Sequence, residues 1–295
     1  MELNEFASQI KKRTDDFLAG ALERFDDSAP RLKEAMRYGL LLGGKRSRPL
    51  LVHAAGRLCG AGQDVLDYPA AAVECIHAYS LIHDDMPEMD NDEFRRGQPS
   101  VHVKFGQDMA LLAGDALQTM AFGLLSDEGN KLQDDLKIRM VGILSSGAGY
   151  MGMCGGQALD LMGTNREMST QELEVLHRKK TGRLIQSAVL MGASCSPDTG
   201  ERQLALLREY AGYTGLAFQV WDDILDVIGD EKVTGKKSGA DAALGKSTYP
   251  ALLGLEKAKE YAGELCSRAI AALEGFGAEA GILRDFARFA VNRDH

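Results

Sequence analysis

The segment AAAVECIHAYSLIHD, residues 70–84, decides how the rest of the chain reads. It spans about four helical turns and is apolar on nearly every side. Its polar residues His77, Ser80 and Asp84 fall at i, i+3 and i+7, one face of a helix. A second segment, YTGLAFQVWDDILDV (213–227), repeats the form: Gln219, Asp222 and Asp226 share that spacing, with Asp223 beside them. A helix apolar all round is buried, and a buried carboxylate is costly without a compensating partner. Each stripe is therefore expected to face a polar cavity inside a helical assembly.

Outward from these two helices the pattern stays helical. Strand-like alternation bounded by Asn-Gly or Asp-Gly turns is missing, and the seven prolines fall at plausible boundaries. Loops are expected near 126–131, 163–170, 194–201, 230–247 and 274–281, none biased enough to link domains. The reading is one all-α domain, residues 1–295, of roughly ten or more helices packed as a bundle. The uncharged run 141–159 has the length of a membrane span, but its six glycines and the Asp160 that follows point to a buried, closely packed helix.

A net charge of −9 argues against a general binder of nucleic acid or anionic membrane. Five scattered cysteines without a CxxC pair suit reduced thiols, and the N-terminal residues match neither a secretory signal nor a transit peptide. A cytoplasmic location is expected.

The first helix runs into Asp84-Asp85-Met86-Pro87-Glu88-Met89-Asp90-Asn91-Asp92-Glu93, six carboxylates in ten positions, then Phe94-Arg95-Arg96. On an ideal helix Asp84 and Asp90 stand about 240° apart, so Pro87 has to disturb the turn for both to face one way. In the second cluster Asp222 and Asp226 are one turn apart and already aligned. Hard oxygen donors without His or Cys favour Mg²⁺, which keeps water and substrate phosphates in most of its positions. Basic residues behind each cluster, Arg95 and Arg96, then Lys236 and Lys237, suit a diphosphate bound between metal and cation. A calcium loop lacks its central glycine here, and a metal phosphohydrolase lacks a companion histidine cluster.

At these residues the chain resembles the trans-prenyl diphosphate synthases, most closely the bacterial farnesyl diphosphate synthases. The resemblance rests on LLGGKRSRP (41–49), residues 70–97, HVKFG (102–106), LLAGDALQ (111–118), MCGGQALDL (153–161), KKTG (179–182), FQVWDDILDVIGD (218–230) and GKSTYPALLGL (245–255). It implies an all-α bundle around a deep central cavity, a homodimer, and three Mg²⁺ ions bridging an allylic diphosphate to two aspartate motifs. Asp84, Asp85, Asp90, Asp222, Asp223 and Asp226 match the metal-binding clusters. Arg95, Lys180, Lys236 and Lys246 match allylic diphosphate contacts. Lys45, Arg48, His77 and Arg96 match the metal-free pocket for isopentenyl diphosphate. Thr181 and Gln219 match positions whose oxygens stabilise an allylic cation. Gln157 and Asp160 are left to helix packing.

The implied activity condenses isopentenyl diphosphate with dimethylallyl and then geranyl diphosphate to give farnesyl diphosphate. A geranylgeranyl or other chain-length synthase is the alternative. Tyr79, about 7.5 Å below Asp84 along the helix, matches the cavity floor, although the helical wheel alone favours Ser80. A terpene cyclase has no need of the second diphosphate pocket, and a non-catalytic subunit has no need of two complete acidic motifs. The terminal VNRDH lacks a basic last residue, so the tail is not expected to close the site.

Overall fold

Residues 70–84 form the latter part of α4 (Gln63–Asp84), against which α3 (Ser47–Leu58), α6 (Gln107–Ser126) and α10 (Arg183–Ser194) pack. The computed structural model describes residues 2–229 and 245–293; Lys236 lies outside them. Around this centre stand α1 (Leu3–Glu23), α2 (Pro30–Leu41), α5 (Val101–Phe105), α7 (Asp134–Ala148), α8 (Met153–Gly163) and α9 (Thr170–His177). The second long helix, α11 (Glu201–Ile228), carries the other stripe. After it come α12 (Tyr249–Leu253), α13 (Leu255–Ala272) along its flank, and α14 (Gly281–Ala290).

The polar stripe of α4 behaves as its spacing predicts. Along α4, Val73, Cys75, Ile76 and Ala78 are buried, while His77, Ser80 and Asp84 are only half-buried. Helix α10 is buried from Ser187 to Ser194 and forms the floor on which α3, α4 and α11 lie. Helix α9 starts on a capping box, with Ser169 accepting from the Glu172 amide while the Glu172 carboxylate accepts from Ser169 N–H at 2.8 Å. That cap fixes where the helix aims His177 and the residues after it.

The run 141–159 is two helices and not one. Helix α7 stops at Ala148, and a turn closes with Gly152 N–H donating to Gly149 O at 3.0 Å. Helix α8 then begins at Met153. Gly156 lets α8 lie on the wider turn Arg178–Gly182, because a Cβ there would overlap the Lys180 backbone nitrogen. Among the described residues the helix long and apolar enough to span a membrane is instead α6, which packs on α4 and α2 but leaves Leu111 and Leu112 exposed.

The β structure among the described residues is a two-residue ribbon, Phe94–Arg95 paired antiparallel with Gln98–Pro99. Arg96 and Gly97 turn it with φ of 54° and 74°, the pair of left-handed residues a tight hairpin needs. This sets Arg95 and Arg96 directly behind the first acidic cluster.

Candidate active site

Helix α4 ends at Asp84, and the chain then doubles back. Asp90 N–H donates to the Asp84 carbonyl at 2.9 Å, and Asn91 and Asp92 N–H bond Met86 O and Asp85 O at 3.1 Å each. Pro87, Glu88 and Met89 form the exposed tip. The two-residue excursion thus brings Asp90 alongside Asp84, as the ideal helix does not. Burial, with the Asp90 charge adding and Lys180 opposing, pushes the Asp84 carboxyl up to about 6. Asp85 turns away: it is buried and takes Arg95 Nε on both oxygens, at 2.9 and 2.7 Å. In this arrangement Asp85 orients Arg95 at the rear of the cluster.

Two lysines tie this motif to the rest. Lys246 Nζ lies 3.5 Å from Asp90 and 3.7 Å from Asp160, and Lys180 Nζ donates to Asp160 at 2.5 Å. Burial works to raise the Asp160 carboxyl, but Lys180, backed by Lys246, holds it below its ordinary value. The residue left to helix packing on sequence grounds is therefore the anchor of both lysines. Its signal, an acid one turn before the end of an apolar helix, is too common to read alone.

These groups open on a polar cavity of about 110 Å³ lined by Asp160, His177, Lys180, Gln219, Asp223 and Lys246. Thr181 Oγ1 donates to Gln219 Oε1 at 2.9 Å, and Gln219 Nε2 donates to Asp223 at 3.4 Å. Asp223 also accepts from Tyr249 N–H at 3.0 Å and lies 3.4 Å from His177 Nε2. Within the α11 stripe the bonded pair is thus Gln219 and Asp223 at i, i+4. Asp222, one position back and about 100° round the helix, faces elsewhere: its carboxylate meets Arg293 at 2.8 Å. Arg293 is held by its own carbonyl, which accepts from Trp221 Nε1 at 3.0 Å, and by its guanidinium 3.8 Å from the Phe218 ring centre. The C-terminal segment therefore reaches the second motif. Asp226 is half-buried a turn further along.

On the Asp222 side lie the residues matched to the metal-free pocket. Partial burial of its ammonium, then Arg293, lowers Lys45, and Asp222 opposes them. The half-buried His77 is pushed well below its ordinary value by burial and then by Arg48, Arg96, Arg95 and Arg46. Arg96 donates to Gly43 O and lies against Gly44, whose φ is 120°; a Cβ there would stand 2.7 Å from the guanidinium. The glycine pair before Lys45 is thus shaped around Arg96.

Tyr79 is buried, with its hydroxyl 3.2 Å from Cys154 Sγ and its ring edge-on to His83 at 5.7 Å. Asp84 is among the groups acting on it. Ser80 is half-buried and spends its hydroxyl on His77 O at 2.9 Å. A larger cavity, about 850 Å³, lies between α1, α2 and α6, away from the aspartates.

The donor set fits a hard divalent ion. Asp84 and Asp90 crowd negative charge that Lys180 and Lys246 only partly offset. Among the described residues no three carboxylates, imidazoles or thiolates enclose a metal site by themselves.

Residues 29–276 match the polyprenyl synthetase family. The chain is 58% identical over 233 residues to farnesyl diphosphate synthase of Escherichia coli K12, covering 79% of this chain and 78% of that one. It is 47% identical over 291 residues to farnesyl diphosphate synthase of Haemophilus influenzae, covering 98% of each. Its fold matches a geranyltransferase of Helicobacter pylori complexed with magnesium and isoprenyl diphosphate. That match has a TM-score of 0.86 at 34% identity and covers 99% of this chain and 97% of that one.

Proposed function

This chain belongs to the polyprenyl synthetase family, and from that premise we propose that it is a magnesium-dependent farnesyl diphosphate synthase. It condenses isopentenyl diphosphate with dimethylallyl and then geranyl diphosphate. The observation that carries this reading is the convergence through Lys246 and Lys180. They join Asp90 of one motif to the cavity that Asp223 of the other lines.

Asp84 and Asp90 would hold the magnesium from the first motif, and Asp222 from the second once its carboxylate exchanges Arg293 for metal, three ions by the family pattern; the bound metal would neutralise the allylic diphosphate as a leaving group. Lys180 and Lys246, already oriented by Asp160, receive the charge that develops on the departing pyrophosphate. Arg95, fixed by Asp85, and Lys236 join them. Thr181 commits its proton to Gln219, so its lone pairs are what it presents to an allylic cation. Lys45, Arg48, His77 and Arg96 bind isopentenyl diphosphate without metal. Its double bond attacks the allylic carbon, and the lost proton leaves with pyrophosphate. Tyr79, braced by Cys154 and His83, ends the hydrocarbon path.

The chain is read as one domain working in solution as a homodimer. Supporting this, α6 turns Leu111 and Leu112 outward and α7 turns Ile138 outward, an apolar surface suited to a second copy.

Incubating the protein with isopentenyl and dimethylallyl diphosphates, with and without Mg²⁺, tests the reading by product chromatography. Farnesyl diphosphate is expected only with metal; no condensation product in either arm refutes it. Tyr79→Ala is expected to move the product towards chains longer than farnesyl, and an unchanged distribution removes Tyr79 as the floor.

A further inference from the structure

The loop joining α2 to α3 carries Lys45, and Arg48 stands in the first turn of α3. Between them Arg46 adopts φ 51°, a left-handed conformation that is unfavourable for a residue with a Cβ. Its side chain is 2% exposed, inside the protein and not in the cavity. There the guanidinium is fully engaged: Nε donates to Asp15 at 2.7 Å, Nη1 to Glu74 at 2.7 Å and Nη2 to Leu40 O at 2.8 Å. A guanidinium is buried only with such compensation.

Glu74 sits on α4 one turn before His77, on the same side of the helix, with its side chain 3% exposed. One oxygen holds Arg46. The other, Oε2, is buried without a hydrogen-bond partner among the described residues, and so is Arg48 Nε. Burial drives the Arg48 guanidinium below its ordinary value and Glu74 is the leading group opposing it. At Arg96, burial and Arg46 act downward, and Glu74 again leads the opposition.

We propose that Glu74 and Arg46 are positioning residues for the isopentenyl diphosphate pocket: Arg46 is the buried strut that turns Lys45 and Arg48 towards the cavity, and Glu74 is the counter-charge that lets Arg48, His77 and Arg96 stand together before the anion arrives. The inference rests on the reading of Lys45, Arg48, His77 and Arg96 as that pocket. A pocket that binds diphosphate without metal depends wholly on side chains held in place beforehand, and like charges held so close repel. An anion behind the cluster relieves that repulsion without entering the pocket.

The test separates the two substrates. Glu74→Gln keeps shape and removes charge; it is expected to raise the KM for isopentenyl diphosphate about ten-fold, with the allylic KM within about two-fold. Glu74→Asp, which retains the charge, is expected to recover part of the loss. If Glu74→Gln does not fold, Arg46→Lys decides, since it keeps charge and loses the fork: the same KM split supports the proposal. Unchanged KM values, or an equal rise in both, overturn it. Arg48→Ala serves as the control. If it leaves the isopentenyl KM untouched, the reading of the pocket fails and takes the proposal with it. If Arg48→Ala raises that KM and Glu74→Gln does not, the positioning role alone is lost.

Discussion

Around the Asp223 cavity, among the described residues, Asp84, Asp90, Asp160 and Asp223 stand with Lys180 and Lys246. Around Arg48 the balance is reversed, with Arg46, Arg48 and Arg96 gathered about Glu74. Both regions serve a diphosphate in the proposed reaction. The acidic region repels one until divalent cations arrive, whereas the basic region accepts one directly. Metal dependence is therefore a property of one substrate and not of the other. The group that must leave is the one carried by metal, which withdraws electrons from it. The diphosphate that stays attached is held by side chains without metal, those of Lys45, Arg48, His77 and Arg96.

The largest expected effect breaks the acidic side. Asp84→Ala is expected to cut turnover by about a thousand-fold or more, with thermal melting nearly unchanged because the side chain is half-buried and unfavourably placed. Near wild-type rates in a steady-state assay would put the metal elsewhere. Asp160→Asn sharpens the contrast by leaving the shape and freeing both lysines. Its kcat/KM for the allylic substrate is expected to fall about 10–100-fold, the range for partners behind a metal site, while the isopentenyl KM holds. Equal changes for both substrates would merge the two regions into one.

The smallest effect concerns pH. An isolated aspartate titrates at about 3.9, and Asp84 in the folded chain at about 6. A raised folded value means that this carboxyl favours folding below about pH 4. The contribution is lost as the pH climbs through about 6, where the folded chain has to hold the bare charge. Magnesium with pyrophosphate should therefore raise the melting temperature by a few degrees more at pH 8 than at pH 5. A gain independent of pH, read by thermal shift, would mean that Asp84 keeps its proton in the complex.

What was legible in the sequence follows from the range of the forces involved. Helical periodicity is local, so α4 and α11, the α4 stripe and the buried faces between them could be read from residue spacing, whereas the α11 face that lines the cavity runs through Gln219 and Asp223 and not through Asp222. The surplus of two residues around Pro87 announced a departure from the helix, and the Asp90 to Asp84 bond is that departure. The run 141–159 misled because uncharged glycines read as packing surface, while Gly149 and Gly152 in fact close a turn. Asp160, Arg293 and the inward Arg46 were missed for one reason. Each acts through a partner distant in sequence: Lys180, Asp222 and Glu74. Charge pairs across elements leave no periodic trace, and a basic residue among basic residues looks like surface until the loop is seen to turn it inward.

The bond between the Asp90 amide and the Asp84 carbonyl has a mechanical consequence. In the second motif, spacing between acids is dictated by helical pitch, so any unwinding of α11 there separates them. In the first, a short tether couples the two acids regardless of what the exposed apex does. Strain arriving along α4 would swing Asp84 and Asp90 together, like two prongs on one handle, conserving their gap while changing only where it points.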